Sequence, residues 1–437
     1  MANWRRIASS FTLPRALVFS VVFCMIMELI PNLSQLSYLK KYKETDFNHI
    51  LDYKRLNIVI DSTRLDILKI LFSASYYILI FLLLNFIWKK TNNDYIFTIV
   101  LYILKFILLD IPFDYIDIVY ITSKYNSENI SYRKSDFNKL LMSSFGKCTL
   151  QLIFVFADKR FSRCTDLNQE ENAEENNNTA NITQEDPTET HNTPQRRYKI
   201  PFWLFHIVFS IPLLFIFIAI LPKLLMLEGE VFQPISPYDL NNSILKLSEK
   251  VGFPYNDILI SNSMRDQDIP NAYFTGIIVK KVFVTNSLLS ITTIPETTAV
   301  VGHELGHYKN NDIIVIFMLQ SVYILLYGFI LYIIQKKGLS ELGITQGMPV
   351  SVIIVISLNL ILPFVTIYRP LLNTIARTAE KRADCFAAQL GLPIAEALTS
   401  ITKVMHQTFN PSPLYSFVYY NHPPLDERVE HISKCKK

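Results

Sequence analysis

The motif His303-Glu304-Leu305-Gly306-His307 contains the residue types needed for metal-dependent hydrolysis. On a helix, residues four apart lie on one face, so both imidazoles can bind the same Zn²⁺ ion. The carboxylate between them can then take a proton from a water on the metal. The chain has only eight histidines in 437 residues, so two at this spacing around a Glu rarely arise by chance. We interpret the motif as part of a zinc site rather than as two surface histidines.

A catalytic zinc needs a third protein ligand and one open coordination position. Two downstream candidates are Glu380, in a helical pattern, and His422, in a loop before two prolines. Because Glu380 and Asp384 are four residues apart, one can bind the metal while the other accepts a hydrogen bond from a ligand histidine. Both could instead pair with neighbouring basic residues on a solvated face. His422 is held extended by the next proline, which suits an oxyanion-stabilising group or an ordinary surface turn. Spacing alone leaves these roles open.

The elements that must position these residues are short and mixed in type. A helix is predicted over 295–309, because Pro295 suits a first turn and Glu296 complements a helix N-terminus. Spacing of apolar residues predicts a second helix over 238–251. Strands are predicted at 257–260, 272–279 and 282–285, the last two joined by a tight hairpin. The pattern predicts a small α+β unit around the zinc helix.

Long apolar runs place most of the remaining chain in a membrane. Half of all residues are apolar and only 18% are charged. The runs lie at 11–30, 70–88, 95–109, 140–157, 201–221, 313–334 and 350–368. Runs of this length bounded by charges predict about seven transmembrane helices in a mainly α, polytopic protein. The first run lacks a small-residue cleavage site, so we predict that it is retained as a span.

One segment differs in composition from everything around it. Residues 165–195 carry eight acidic residues, no Lys or Arg, and many Asn and Thr. Such a segment buries too little apolar surface to order itself, so we predict a disordered linker over 165–198. The predicted organisation is therefore an N-terminal membrane part (1–164), the linker, and a membrane-embedded metalloprotease domain (199–437).

Charge and cysteine usage argue against two other kinds of site. The net charge is only +4, and basic residues cluster at span ends rather than in a stripe, so no nucleic-acid partner is expected. The five cysteines are scattered without a C-x-x-C pair. They predict neither a disulfide framework nor Cys-ligated zinc.

Several motifs in one order resemble those of the type I CAAX prenyl proteases, integral-membrane zinc endopeptidases of the gluzincin class. The resemblance rests on Asn271-Ala-Tyr-Phe before the zinc helix, on the zinc motif, on Arg377-x-x-Glu-x-x-Ala-Asp-x-Phe-Ala387, and on His422-Pro-Pro-Leu-x-Glu-Arg428. It is strong from about residue 220 onward and weaker before. It implies about seven transmembrane helices forming a barrel around a chamber, with a small α+β gluzincin domain split by two spans.

The resemblance also implies roles for individual residues. His303, His307 and Glu380 would bind one Zn²⁺, and Glu304 would be the general base. Asn271 and His422 would contact the substrate backbone or the developing oxyanion. Asp384 would support a metal ligand, and Arg428 would support that region or bind the substrate C-terminus.

By resemblance, the expected reaction removes the last three residues from prenylated CAAX proteins. Glu304 would accept a proton as water attacks the scissile bond. The partners would be prenylated protein C-termini and the lipid bilayer, and the chain would be a monomer. The expected location is the endoplasmic reticulum membrane, with the nuclear envelope as a further site.

Other classes remain open at this point. A membrane quality-control metalloprotease of the HtpX kind shares the zinc helix and the downstream Glu, but has fewer spans. A non-catalytic membrane scaffold would keep the fold and lose Glu304 or a ligand, and all of these residues are present. A transporter would explain Lys105 and Lys147 within predicted spans, but not the zinc constellation.

Overall fold

The computed structural model describes residues 12–43, 50–116, 201–227, 231–235, 238–262, 270–337, 350–405 and 411–435. The predicted linker at 165–198 and the predicted span at 140–157 lie outside these residues. Both stay predictions, as do the linear domain boundaries.

Within the described ranges, helices dominate and four short strands lie between them. The helices are α1 (Leu13–Lys43), α2 (Ile50–Thr91), α3 (Asp94–Lys105), α4 (Ile111–Tyr115), α5 (Phe202–Leu227), α6 (Tyr238–Val251), α7 (Asn286–Ile291), α8 (Ile294–Asn310), α9 (Asp312–Lys337), α10 (Val350–Gln389), α11 (Ile394–Met405), α12 (Pro413–Tyr419) and α13 (Leu425–Cys435). The strands are β1 (Val231–Pro234), β2 (Ile258–Asn262), β3 (Ala272–Thr275) and β4 (Lys281–Thr285). A π-helical turn, Phe106–Asp110, joins α3 to α4.

Six helical segments in the described part of the chain are long and apolar enough to cross a membrane. They are Leu13–Lys41, Val59–Thr91, Asp94–Phe113, Trp203–Ile220, Asp312–Lys336 and Ser351–Gln389. Each contains or overlaps a predicted span. Large apolar side chains such as Leu82, Phe86 and Phe209 are exposed on these helices, as expected where lipid replaces water. The chain is an integral membrane protein.

The chain divides into two compact units. One comprises Met1–Val22, Leu71–Val208 and Leu326–Ile361. Inside it, buried Asp94 accepts hydrogen bonds from the backbone N–H and the hydroxyl of Ser351, at 3.2 and 2.6 Å. This pairing satisfies a carboxylate that would be costly to bury alone.

The other unit comprises Phe23–Ile70, Phe209–Leu325 and Leu362–Lys437, and it contains the sheet and every predicted site residue. Its core packs one face of the sheet against α6, α8 and α11, with Val282, Val301 and Leu305 fully buried. The predicted helices at 238–251 and 295–309 are confirmed, the second as Ile294–Asn310.

The sheet has the order β1-β2-β4-β3, with β2 and β4 parallel and the two outer pairs antiparallel. Strand β3 therefore lies at an edge. It ends at Thr275, so the prediction of a strand over 272–279 is wrong in length. Gly276 has φ of +93°, which leaves the extended region and ends the strand. A five-residue connection, 276–280, replaces the predicted tight hairpin, and β1 was not predicted.

Cys385 on α10 and Cys435 on α13 form a disulfide, with their Cα atoms 5.3 Å apart. The cysteine spacing did not indicate this bridge, because the two residues are 50 positions apart and meet only through helix packing.

Candidate active site

Helix α8 carries the zinc motif and begins at a capping box. Thr293 accepts a hydrogen bond from the Glu296 N–H, and the Glu296 carboxylate accepts one from the Thr293 N–H. The helix ends where Asn311 adopts a left-handed conformation, with φ of 54°. Between these ends, the helical repeat places His303 and His307 on one face, with their Nε2 atoms 3.2 Å apart.

Small residues let α8 approach α10 closely. A Cβ at Gly306 would lie only 2.9 Å from the Cα of Ala383, a separation that real Cβ atoms essentially never show. An alanine there would force the two helices apart. The glycine thus brings the histidine face of α8 against the part of α10 that carries Glu380 and Asp384.

His303, His307 and Glu380 turn their ligand atoms toward one point. Oε1 of Glu380 lies 3.3 Å from Nε2 of His307, and Oε2 lies 3.4 Å from Nε2 of His303. Tetrahedral zinc with bonds of about 2.0–2.1 Å separates its ligand atoms by about 3.3–3.4 Å. Oε2 of Glu380 is buried, with Nδ1 of His422 at 2.9 Å and Nη2 of Arg428 at 3.4 Å. The spacing of the ligand atoms and the donor set of two imidazoles and one carboxylate fit a bound Zn²⁺.

Each histidine has a carboxylate behind it. Nδ1 of His303 lies 2.9 Å from Oδ1 of Asp384, and Nδ1 of His307 lies 2.8 Å from Oδ2 of Asp312. A carboxylate at Nδ1 favours a proton there, which leaves the Nε2 lone pair for a metal. Sequence reasoning anticipated Asp384 and missed Asp312. The only available signal was its place five residues after His307, at the start of α9.

Arg428 is buried against Asp384, to which it donates two hydrogen bonds of 2.8 and 2.6 Å. Of the two roles left open for it, this contact favours support of the site over capture of a substrate carboxylate. The arrangement forms a chain from the guanidinium through Asp384 to His303.

Opposing effects set the pKa values of the two histidines. Burial lowers both, because the charged imidazolium loses solvation. The neighbouring carboxylates outweigh this and raise the pKa of His303 to about 9 and that of His307 to about 10. The acidic surroundings therefore favour positive charge at the point where a metal cation would bind.

Glu304 faces the same space from α8. Its Oε2 accepts a hydrogen bond of 2.9 Å from the backbone N–H of Phe274 on β3. Burial raises the pKa of this carboxyl, and the two nearby histidines partly offset the effect. The edge strand thus holds the carboxylate beside the ligand cluster.

These groups line a cavity of about 860 Å³. Its wall includes the three candidate metal ligands, Glu304 and Arg428, together with Asn271, Tyr419, Tyr420 and His422. Nδ1 of His422 lies 2.9 Å from Oε2 of Glu380, outside hydrogen-bond geometry, and its side chain is 59% exposed. Asp384 stands behind His303 instead of at the wall. The fold therefore gathers all eight predicted site residues in one place.

Arg377 holds the loop that carries His422, and sequence reasoning assigned it no such role. Its Nη1 donates hydrogen bonds to the carbonyl oxygens of Ser416, Phe417 and Tyr420, at 3.2, 3.3 and 2.6 Å. These carbonyl groups lie at the C-terminal end of α12, where helical acceptors lack partners further along the helix, although the Ser416 oxygen also accepts a hydrogen bond from the Tyr420 N–H. The contact ties the chain just before His422 to α10.

Comparison with known proteins gives matches over this region and over the whole fold. Residues 235–436 match peptidase family M48. "CAAX prenyl protease 1" of Saccharomyces cerevisiae is 27% identical over 264 residues, covering 55% of this chain and 58% of that protein. "CAAX prenyl protease 1 homolog" of Dictyostelium discoideum is 30% identical over 240 residues, covering 53% of this chain and 56% of the relative. The chain thus matches a little over half the length of these relatives.

A solved structure shares the fold along nearly the whole chain. The crystal structure of S. mikatae Ste24p has a TM-score of 0.71 and 20% sequence identity. The match covers 97% of this chain and 99% of that one. It supports the predicted fold class, a helical membrane protein with a small α+β unit.

Proposed function

We propose that the chain is a zinc endopeptidase acting on prenylated proteins, because residues 235–436 match peptidase family M48 and the relatives that match over about half of the chain are named CAAX prenyl proteases. The proposed reaction removes the last three residues of a CAAX C-terminus. The observation that carries the proposal is the convergence of His303, His307 and Glu380 on one point, with Glu304 in the same cavity.

His303, His307 and Glu380 would hold the zinc ion. When bound, Zn²⁺ supplies a Lewis acid that polarises a carbonyl and lowers the pKa of a coordinated water from 15.7 to about 7. The donor set of two imidazoles and one carboxylate, with a cavity on the open side, is that of a catalytic site rather than of a closed structural one.

Glu304 is proposed as the general base and, later, as the acid that protonates the leaving amine. Burial raises the pKa of its carboxyl above the ordinary value, because the charged form loses solvation, and a higher pKa makes the carboxylate a better proton acceptor. The hydrogen bond from Phe274 fixes Oε2, so Oε1 is the oxygen free to move the proton.

His422 and Asn271 are proposed to contact the substrate carbonyl as negative charge develops on it. Both line the cavity, and His422 already stands beside Glu380. Donors held in place before the reaction stabilise an oxyanion more than donors that must reorganise. We assign Arg377 the role of a positioning residue, since it anchors the carbonyl groups that lead into His422.

The free edge of β3 is proposed to bind the substrate backbone. Asn271 accepts a hydrogen bond from the Thr285 N–H on β4, whereas the Phe274 N–H points to Glu304. Since hydrogen-bonding direction alternates along a strand, the backbone groups of Ala272 face the outer edge beside the cavity. An extended peptide can pair with this edge of β3 as a further strand, and its backbone hydrogen bonds would depend little on which side chains it carries.

The site lies beside membrane-length helices, which favours a lipid-modified substrate. The zinc helix passes through Asn311 directly into α9, and Asp312 is the first residue of that segment. Glu380 lies on α10, whose N-terminal part is also long and apolar. A prenylated C-terminus partitions to the bilayer surface and would be concentrated there. The proposed endoplasmic reticulum location rests on the resemblance alone.

A farnesylated peptide ending in Cys and three further residues tests this substrate class. We expect the purified chain in lipid nanodiscs to release the tripeptide in a zinc-dependent manner, detected by mass spectrometry. The unprenylated peptide should be cleaved about tenfold less efficiently or worse, a difference of at least 1.4 kcal/mol. Equal cleavage of both peptides would instead support the quality-control protease. Cleavage of neither peptide by the zinc-loaded chain would support the non-catalytic scaffold.

Replacing Asp312 by Asn is expected to weaken zinc binding about 10–100-fold, because outer-shell carboxylates orient the ligand histidine and increase its basicity. The measurement is zinc retention against a chelator of known affinity. Asp239→Asn, at an exposed position on α6, is the matched control and should behave like the wild type. An unchanged affinity in Asp312→Asn would contradict its assigned role.

Zinc binding at pH 7 is expected to release about one proton per ion. Because both histidine pKa values are raised, the metal-free pair holds an extra proton at neutral pH. A second extra proton is disfavoured, because the two Nε2 atoms are only 3.2 Å apart and two positive charges would repel each other. Affinity should therefore rise with pH until the pair has lost its proton, near pH 9 to 10. Calorimetry in buffers of different ionisation enthalpy measures this release. If the zinc affinity does not change between pH 7 and pH 9, the prediction of proton release is wrong.

A further inference from the structure

A second group of metal-binding residue types lies outside the catalytic cavity. It consists of Cys385 on α10 together with His431 and Cys435 on α13. One ligand atom from each residue lies within 4.8 Å of the other two, and all three residues are partly accessible to solvent. None of them lines the cavity described above.

The geometry of this cluster resembles the first site in one respect. His431 and Cys435 are four residues apart on one helix, so they share a face and point the same way. Cys385 reaches them from the facing helix, with its Sγ 3.3 Å from Nε2 of His431. Zinc bonds of about 2.3 Å to sulfur and 2.0–2.1 Å to nitrogen place tetrahedral S and N ligands about 3.5–3.6 Å apart.

Two chemical states are open to the cysteine pair. In the structure the two sulfurs form a disulfide, and in that state neither can bind a metal as a thiolate. A disulfide needs only the two sulfur atoms, yet Nε2 of His431 also lies beside them. Histidine nitrogen commonly joins cysteine thiolates as a ligand in zinc sites, so it would be the third ligand here.

We propose that, once a two-electron reductant such as a phosphine or a dithiol and two protons from water convert the disulfide to two thiols, Cys385, His431 and Cys435 bind a Zn²⁺ ion separate from the catalytic one. Each thiol gives up its proton to solvent as its sulfur binds the ion, and His431 binds through neutral Nε2. Two thiolates and an imidazole favour zinc or a similarly soft cation over magnesium or calcium. The site would tie α13, which carries Arg428, to α10, which carries Asp384.

The two metal sites can be separated because they share no ligand. Asp384 and Cys385 are adjacent on α10, so their side chains point in directions about 100° apart. Asp384 is fully buried toward His303, whereas Cys385 is partly exposed toward α13. A loss of one metal therefore need not cause a loss of the other.

The test counts zinc in the full-length chain, purified in detergent and reduced with a phosphine, which opens the disulfide without adding a thiol ligand. The reduced wild type should hold two zinc ions per chain, and Cys435→Ser and His431→Ala should each hold one. Cys24→Ser is the matched control, since Cys24 is a free cysteine elsewhere in the described chain, and it should hold two. Glu380→Ala should keep the ion of the second site, whatever happens to activity.

Cobalt substitution gives an independent readout. A thiolate-to-cobalt charge-transfer band should appear in the reduced wild type and in Glu380→Ala, and should be absent from Cys435→Ser. The catalytic site has no cysteine and cannot produce this band. Equal zinc content in reduced wild type and Cys435→Ser, or absence of the band from the reduced wild type, would overturn the proposal. Either result would leave the proposed protease function untouched.

Discussion

Replacing Glu304 by Gln is expected to reduce cleavage of the prenylated peptide by about 10²–10⁴-fold, the range that general acid–base catalysis contributes. The glutamine side chain has the same shape, and its amide oxygen can still accept the hydrogen bond from the Phe274 N–H. The amide cannot, however, take up a proton at neutral pH. Zinc content should remain that of the wild type, because Glu304 is not among the converging ligand atoms. The measurement is kcat/KM together with metal analysis of the same sample.

The matched control is Glu249→Gln, which makes the same chemical change at an exposed position on α6. It should cleave at the wild-type rate. Wild-type activity in Glu304→Gln would reject this residue as the base. Loss of zinc from that variant would show that its carboxylate helps to hold the ion.

Replacing Glu380 by Ala is expected to remove the catalytic zinc and, with it, all detectable cleavage. Loss of an outer-shell partner alone costs about 10–100-fold in metal affinity, so loss of a direct ligand should cost at least about 100-fold. The change also leaves two imidazoles beside Asp384 and Asp312 without the carboxylate that joins them. Zinc retention against a chelator and peptide cleavage are measured together.

This experiment is best done in the Cys435→Ser background, so that only catalytic zinc is counted. Glu396→Ala, at an exposed position on α11, is the matched control and should retain both zinc and activity. Normal zinc content with full activity in Glu380→Ala would reject the third-ligand assignment and direct attention to His422, the other candidate. Nδ1 of His422 lies 2.9 Å from Oε2 of Glu380, so His422 is close enough to serve as the third ligand instead.

Local sequence patterns were sufficient wherever the relevant physics acts within a few residues. The helical repeat alone puts His303 and His307 on one face, and the capping box begins the helix within one residue of the predicted start. Apolar runs identified membrane-length helices because spanning a bilayer requires an unbroken length of apolar chain. The end of β3 was missed, although Gly276 was visible, because its positive φ is a property of the folded backbone.

Contacts between distant segments could not be predicted from spacing. Whether Glu380 or His422 completes the ligand set depends on which atom reaches the point between the histidines, and this depends on the close approach of Gly306 to Ala383. The same packing decides that Arg428 meets Asp384 and that Arg377 anchors the loop before His422. Each of these pairs is separated by more than forty residues.

The cysteines also show that local sequence patterns do not reveal contacts between distant segments. In the sequence they are scattered and indicate no bridge or metal site, yet helix packing brings Cys385, His431 and Cys435 together. By itself, the sequence determined the membrane-spanning character, the zinc helix and the residue types available for hydrolysis, because these depend on local periodicity and hydropathy. Only the tertiary structure decided that Asp312 stands behind His307, that the Phe274 N–H holds Glu304 and that β3 lies at an edge of the sheet. These features depend on side chains meeting across helices and strands, and the chain's linear order contains no distance between them.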